Sequence, residues 1–165
     1  MNVFLAKKVI YIMGVSGSGK SSIGQLLADE LSIPFLDADD YHLPSSIEKM
    51  SKGIPLSDND RMPWLAQINK MAIDHLDSGV VIACSGLKKK YRTQLNQSIE
   101  SNVFWVYLKG NYDLIFERMK NRRDHFMGAT MLKSQFETLE EPVNAIAIDI
   151  DDSRGNIVKE ILNMM

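Results

Sequence analysis

The chain has 165 residues and an almost balanced charge, with 19 basic and 21 acidic side chains and a net charge of −2 at pH 7. Hydrophobic residues make up 45% and charged residues 24% of it, the composition of a globular domain with one well-buried core. This balance excludes bulk attraction to nucleic acid or to an anionic membrane, and the single cysteine, Cys84, excludes an internal disulfide. Because no apolar run approaches the ~18 residues of a membrane span, we expect a cytoplasmic protein of one domain, residues 1–165, without nucleic-acid or membrane partners.

The first predicted strand, Val9–Met13, leads directly into the glycine-rich segment Gly14–Ser21. This segment matches the phosphate-binding loop pattern G-x-x-x-x-G-K-[ST], and apolar residues recur at helical spacing after it, at Ile23, Leu26, Leu27 and Leu31. In such a loop the backbone N–H groups point at phosphate oxygens, and the following helix adds its positive dipole end. We predict that Lys20 reaches the β- and γ-phosphates of a nucleoside triphosphate and that the Ser21 hydroxyl ligates Mg²⁺.

The second predicted strand, Pro34–Leu36, is followed by the acidic run Asp37-Ala38-Asp39-Asp40. Phosphoryl transfer needs carboxylates to hold Mg²⁺ through its waters and to orient the attacking hydroxyl. Asp37 suits the first role. Asp39, two residues on and therefore on the same side of an extended segment, suits the second. The alternative is an acidic loop that only caps a helix.

A helix is predicted over Trp64–His75, with Asp60 as a plausible cap, and the third strand over Val80–Cys84. Three lysines, Lys88, Lys89 and Lys90, follow that strand where a helix is expected to begin near Leu87. Positive charge at a helix N-terminus is unfavourable unless an anion lies nearby. Two interpretations of these lysines are open: they contact the substrate, or they form a solvated basic face. Because this strand does not end in an aspartate, metal support is expected from Asp37 or Asp39.

The remaining predicted elements are a strand over Val103–Leu108, a helix over Tyr112–Arg122, a strand over Ala145–Ile150 and a final helix through Ile157 and Leu162. The strands lack polar alternation, which indicates a sheet covered on both faces, so we predict a three-layer α/β/α fold with five parallel strands. Arg118 and Arg122 share one helix face, and residues of about 118–134 are predicted to form a mobile lid; surface charge is the alternative.

Several segments along the chain resemble the gluconate kinase family of small P-loop kinases. Besides the phosphate loop they include Phe35–Asp39, Ile47–Met50, Gly53–Leu65, Cys84–Lys89, Tyr91-Arg92 and Ser134–Glu140, of which Gly53–Leu65 is the most specific. The resemblance implies a fold similar to adenylate and shikimate kinases and the use of MgATP to phosphorylate the 6-hydroxyl of D-gluconate. It also implies a homodimer.

The residues expected in the site follow from the motifs and from this resemblance. ATP is assigned to Gly14, Ser16, Gly17, Ser18, Gly19, Lys20, Ser21 and Ser22, together with Arg118 and Arg122. The catalytic residues are Lys20, Asp39 and Arg122, and the metal ligands are Ser21 and Asp37. Gluconate is assigned to Asp39, His42, Arg61 and Lys88. Arg61 is the candidate for reading the acid, because a planar guanidinium can meet a carboxylate with two parallel hydrogen bonds.

Two other functions are compatible with parts of the sequence. A shikimate-kinase-like or nucleotide-kinase-like phosphotransferase acting on another small hydroxylated acid explains the loop and the lid, but not the Gly53–Leu65 segment. A regulatory nucleotide-binding module explains the loop alone. Shikimate and gluconate are both hydroxylated carboxylates, so residue chemistry does not separate them, and the family resemblance makes the choice.

Overall fold

The computed structural model describes residues 7–121 and 128–165, without the side chains of residues 128 and 129. The strands are β1 Val9–Met13, β2 Phe35–Asp37, β3 Val80–Ala83, β4 Val103–Lys109 and β5 Ile146–Asp149. They form one parallel sheet in the order β2-β3-β1-β4-β5. The predicted five-stranded parallel sheet is confirmed, and every predicted strand end lies within one residue of the observed end.

The α-helices of the described residues are α1 Lys20–Leu31, α2 Pro44–Ser51, α3 Asp58–Asp74, α4 Lys89–Asn96, α5 Tyr112–Lys120, α6 Gly128–Thr138 and α7 Arg154–Met164. A short 3-10 helix, Ala38–Tyr41, follows β2 directly, and another, Glu100–Asn102, precedes β4. Over the described ranges, none of the helices combines the length and apolar character that a membrane crossing requires.

The core consists of two hydrophobic clusters, one on each face of the sheet. Successive side chains of a strand point to opposite faces. Ile10 and Ile12 of β1 therefore join the cluster that contains Leu27 of α1 and Ile157 of α7. The alternate β1 residues, Val9, Tyr11 and Met13, belong to the cluster that contains Trp64 and Ile68 of α3 and Leu95 of α4. Helices thus cover both faces, and the three-layer prediction is confirmed.

Helix α3 begins at Asp58, six residues before the predicted start at Trp64. Ser57 is the N-cap: its hydroxyl accepts from the Asp60 N–H, while the Asp60 carboxylate accepts from the Ser57 N–H at 2.9 Å. This reciprocal capping box fixes the start of the helix, so Pro63 lies inside it and not at its first position. The predicted start and the predicted N-cap role of Asp60 were wrong. As a result Asp58 and Arg61 are helical residues.

The strand register brings the carboxyl ends of three strands to the same edge of the sheet. Ala83 of β3 is in register with both Ile12 of β1 and Asp37 of β2. Beyond these residues, the Gly14 N–H donates to the Ser85 carbonyl at 3.4 Å. The phosphate loop, the Asp37–His42 segment and the β3–α4 loop are therefore neighbours, where ligands of open parallel sheets bind.

Candidate active site

The backbone of the Gly14–Ser21 loop has a shape that requires glycine. Gly17 has φ +80°, and a Cβ there would lie 2.7 Å from Cγ of Met119 on α5. A Cβ on Gly14 would lie 2.7 Å from Oγ of Ser18. Side chains at either position would force the loop out of this shape. The glycines thus let the loop curl over the start of α1, with Gly19 as the N-cap of that helix.

The interior of the loop is polar and suits an anion. The Ser18 hydroxyl is buried and has no hydrogen-bond partner among the described residues. The Lys20 ammonium group donates to the Val15 carbonyl at 3.1 Å. Burial lowers the pKa of Lys20, while the negative charges of Asp39 and Asp37 act in the opposite direction. Of the other predicted ATP contacts, Ser22 lies in the first turn of α1, and the Ser16 N–H is taken by the side chain of Gln135 at 2.6 Å.

Asp37 and Ser21, the two predicted metal ligands, are in direct contact. The Ser21 hydroxyl donates to Oδ2 of Asp37, and the other carboxylate oxygen accepts from the Asp39 N–H at 3.0 Å. Hydroxyl and carboxylate oxygens are the ligands that Mg²⁺ prefers, and protein sites for it usually complete the shell with waters and phosphates. No cluster of three or more His, Cys, Asp or Glu side chains suited to a metal occurs in residues 7–121 and 128–165.

Asp39 projects from the 3-10 helix after β2 with its side chain 73% exposed, next to His42. The His42 Nε2 lies 3.6 Å from Oδ1 of Asp39. The pKa of Asp39 is held below its usual value, first by its interaction with His42 and further by the positive charges of Lys20 and Arg61, although partial burial acts in the opposite direction. Asp39 is thus a solvent-accessible, ionised carboxylate beside the phosphate loop.

Trp64 of α3 packs against the Asp37–His42 segment. Its indole N–H donates to the Ala38 carbonyl at 2.8 Å, and its ring stacks on the His42 imidazole with 4.3 Å between ring centroids. His42 Nδ1 is buried and has no hydrogen-bond partner among the residues described. The sequence alone leaves the role of Trp64 open, because nothing in a single sequence reveals which backbone carbonyl an indole reaches.

Arg61 and Lys88 both lie close to the ring of Tyr91. The Arg61 guanidinium is 5.7 Å and the Lys88 ammonium 5.5 Å from the centroid of the Tyr91 ring. Lys88 also donates to Asp58 at 3.1 Å, and Lys90 and the Tyr91 hydroxyl donate to the same carboxylate. These donors hold the pKa of Asp58 well below its usual value, Lys90 contributing most. Asp58 therefore supplies an anion for two of the three lysines at the start of α4.

The β3–α4 loop is held by Arg92, which belongs to the family-like segment Tyr91-Arg92. Arg92 is 8% exposed, and its guanidinium donates to the carbonyls of Gly86 at 2.6 Å and Leu87 at 3.2 Å. A buried arginine that binds main-chain carbonyls fixes a loop by several points at once. The sequence places Arg92 in a family-like segment but assigns it no role in the site.

The predicted lid is only partly described. Arg118 donates from Nη2 to the Ile150 carbonyl at 2.6 Å, and α5 ends at Lys120. Arg122, assigned to catalysis and ATP, and Arg123 both lie outside the described residues. The structure gives the positions of seven of the residues to which the sequence assigned a role: Lys20, Asp37, Asp39, His42, Arg61, Lys88 and Arg118. The roles themselves stay predictions.

Comparison with known proteins gives a consistent set of similarities. Residues 16–165 match the family model for shikimate kinase. A gluconokinase of Arabidopsis thaliana is 44% identical over 96% of this chain and 92% of its own length. The thermosensitive gluconokinase of Escherichia coli strain K12 is 42% identical over 94% of this chain and 86% of its own length.

Solved structures agree with the sequence relatives. The crystal structure of a gluconokinase from Sinorhizobium meliloti 1021 is similar with a TM-score of 0.86 and 42% identity, covering 96% of this chain and 91% of that one. A shikimate kinase from Acinetobacter baumannii, solved in complex with shikimate, shares the fold at 19% identity and a TM-score of 0.63, covering 98% of this chain and 94% of that one.

Proposed function

The chain belongs to the gluconokinase family of P-loop kinases, and on this premise we propose that it transfers the γ-phosphoryl group of ATP to the 6-hydroxyl of D-gluconate. One observation carries the assignment beyond the family. An accessible, ionised Asp39 lies at the same sheet edge as the phosphate loop and within the electrostatic reach of both Lys20 and Arg61. A carboxylate so placed can engage a hydroxyl next to the transferred phosphate.

The nucleotide side of the reaction is carried by the phosphate loop. Backbone N–H groups of the loop and Lys20 hold the phosphates, and Lys20 stabilises the charge that grows on the leaving β-phosphate oxygen. Burial of Lys20 strengthens this interaction, because charges act over a less polarisable medium. The buried Ser18 hydroxyl is a further donor that faces no partner in the described residues.

Ser21 and Asp37 would hold Mg²⁺, Ser21 through its hydroxyl and Asp37 directly or through water. Their existing contact supports this role, because the two oxygen donors already converge. When bound, the ion would neutralise negative charge on the phosphates.

The acceptor side is carried by Asp39 and Arg61. Asp39 accepts a hydrogen bond from the 6-hydroxyl and takes its proton as the new O–P bond forms and the bond to the ADP oxygen breaks. The lowered pKa of Asp39 keeps it ionised at neutral pH, so that proton transfer occurs late. Arg61 pairs with the gluconate carboxylate, and Lys88, which also lies near the Tyr91 ring, adds positive charge.

A coupled assay of ADP release tests the proposal over four acceptor classes: gluconate, shikimate, glucose and the nucleoside monophosphates. We expect kcat/KM for gluconate to exceed the others by at least about 10³-fold, because an acceptor without gluconate's carboxylate and hydroxyl chain leaves Arg61 or Asp39 without its partner. A preference for shikimate, whose kinase family model the chain also matches, would reassign the acceptor and keep the reaction type.

Three features expected from the sequence stay predictions: a homodimer, a cytoplasmic location and closure of a lid formed by residues of about 118–134. Size-exclusion chromatography with light scattering measures the first. A mass of twice 18.6 kDa is the expected result.

A further inference from the structure

The segment Gln135–Glu140, at the end of α6, contacts two different loops of the site. Oε1 of Gln135 accepts a hydrogen bond from the Ser16 N–H of the phosphate loop at 2.6 Å. Oε2 of Glu140 accepts from the Lys89 N–H at 2.6 Å, and the Glu140 N–H donates to the Leu87 carbonyl at 2.8 Å. One short segment thus holds the nucleotide loop at one end and the β3–α4 loop at the other.

The segment is anchored so that its two ends move together. The Leu139 N–H donates to the Gln135 carbonyl at 2.9 Å, which closes the last helical turn. Leu139 packs against both hydrophobic clusters of the core, and Phe136 packs against one of them. One turn earlier, Leu132 is fully buried. A displacement at Gln135 is therefore passed to Glu140, since packed interiors transmit strain.

The β3–α4 loop is positioned through its carbonyl groups, and Glu140 holds one of them. Arg92 holds the Gly86 and Leu87 carbonyls from within the core, and the Glu140 N–H shares the Leu87 carbonyl. Lys88, between the two Glu140 contacts, is the loop residue assigned to the acceptor. A shift of Glu140 would therefore move the main chain that carries Lys88.

We propose that the Gln135–Glu140 segment couples the nucleotide site to the acceptor side, with Gln135 and Glu140 as positioning residues. Phosphates that fill the loop tighten Ser16 against Gln135, and the helix end carries this restraint to Leu87 and Lys89. The identity of the acceptor rests on the proposed function. The coupling itself does not, because both contacts belong to this chain.

A second route between the two loops exists, and the test must separate it. The Gly14 N–H donates directly to the Ser85 carbonyl, at the long distance of 3.4 Å. If this bond carried the coupling, changes at Gln135 or Glu140 would have no effect on it.

Hydrogen exchange measured by mass spectrometry, with Mg²⁺ and a non-hydrolysable ATP analogue, decides between the routes. In the wild type the analogue should slow exchange in residues 14–21, and also in residues 85–91 by about 2- to 10-fold, the worth of one hydrogen bond. Gln135→Met and Glu140→Met keep side-chain length but remove the acceptor oxygen. Both should keep the slowing in residues 14–21. Gln135→Met should lose it throughout residues 85–91, and Glu140→Met, which keeps its main-chain bond to the Leu87 carbonyl, should lose it at Lys89.

Glu137→Met on the same helix is the matched control, because Glu137 is exposed and its ion pair with Lys133 is long, at 3.9 Å. It should behave as the wild type. Wild-type protein without slowing in residues 85–91, or folded variants that retain it, would overturn the proposal. Protection of residues 14–21 shows that a variant is folded and binds nucleotide, and two variants at opposite ends keep the test decisive if one fails to fold.

A calorimetric measurement separates this inference from the proposed function. The dissociation constant of the ATP analogue is measured with and without gluconate. Gluconate should lower the dissociation constant of the analogue in the wild type. The ratio of the constants without and with gluconate should fall towards one in Gln135→Met. If the wild type shows the exchange effect but does not bind gluconate, the proposed coupling stands and the assignment of gluconate as the acceptor is wrong. If the wild type binds gluconate but does not show the exchange effect, the assignment of gluconate stands and the proposed coupling is wrong.

Discussion

The nucleotide side and the acceptor side of the site are built in different ways. The phosphate loop is one contiguous segment, Gly14–Ser21, whose shape follows from its own glycines and from the helix that it begins. The acceptor side joins three separate segments, Asp37–His42, Ser57–Trp64 and Ser85–Arg92. These meet only through tertiary contacts, such as the stacking of His42 on Trp64 and the pairing of Lys88 with Asp58.

This difference predicts two kinds of mutational effect. On the nucleotide side, a substitution acts directly on the phosphates and affects every acceptor equally. On the acceptor side, substitutions at supporting residues that touch no substrate should still change the KM for the acceptor, because they move the residues that do.

Asp39→Asn gives the largest expected loss, because it keeps the shape of the side chain but removes the proton acceptor. Turnover should fall by roughly 10²–10⁴-fold in steady-state assays. The matched control is Asp40→Asn, at the neighbouring exposed carboxylate, which should retain nearly full activity. A folded Asp39→Asn enzyme with wild-type turnover would show that Asp39 is not the base.

Lys20→Ala removes the ammonium group that stabilises the leaving oxygen. We expect a fall in kcat on the order of 10²-fold or more, equal for gluconate and for any poorer acceptor. Lys159→Ala, on the exposed face of α7, controls for loss of positive charge. If kcat fell for one acceptor only, the proposed separation of the nucleotide side from the acceptor side would be wrong.

Arg61→Met should raise the KM for gluconate by about 30-fold or more, because a desolvated carboxylate loses its charged partner, and should leave the KM for ATP nearly unchanged. Arg61→Lys keeps the charge but not the two parallel hydrogen bonds, and should recover only part of the loss. A fall in kcat with constant gluconate KM would indicate instead that Arg61 contacts the transferred phosphate.

Asp58→Asn tests a supporting residue. It leaves Lys88 and Lys90 without a carboxylate at the start of α4, where positive charge is unfavourable. The KM for gluconate should rise by about threefold, as for partly exposed ion pairs, with kcat nearly constant. Asp74→Asn at the other end of α3 is the control. Identical constants in both variants would mean that Asp58 does not position Lys88.

The smallest expected effect is a pH dependence of stability from the α3 capping box. Hydrogen bonding by Lys49 and by Ser57 lowers the pKa of Asp60 to about 2, from an ordinary value of 3.8. A group whose pKa is lowered by folding stabilises the fold above its unfolded pKa, so this contribution should disappear as the pH falls from about 4 through 2. Thermal midpoints of Asp60→Asn should decline less steeply over that range than those of the wild type. Parallel curves for the two proteins would exclude the role of Asp60.

The fold could be predicted from the sequence because its signals are local. Strands β1 and β3 are buried along their whole length, so they appear as continuous apolar runs, and the helices appear as apolar stripes. The start of α3 was missed because Pro63 is typical of a first helical turn, whereas the Ser57–Asp60 pair had already closed a capping box.

The sequence by itself determined the phosphate loop, the order of the strands along the chain and the family, because each depends on neighbouring residues or on motifs in a fixed order. Only the tertiary structure decided which side chains support the site. The links from Trp64 to Ala38, from Asp58 to Lys88 and from Gln135 to Ser16 join residues 26, 30 and 119 positions apart. A hydrogen bond over such a distance leaves no spacing pattern in one sequence, since its geometry is set by how the sheet and helices pack.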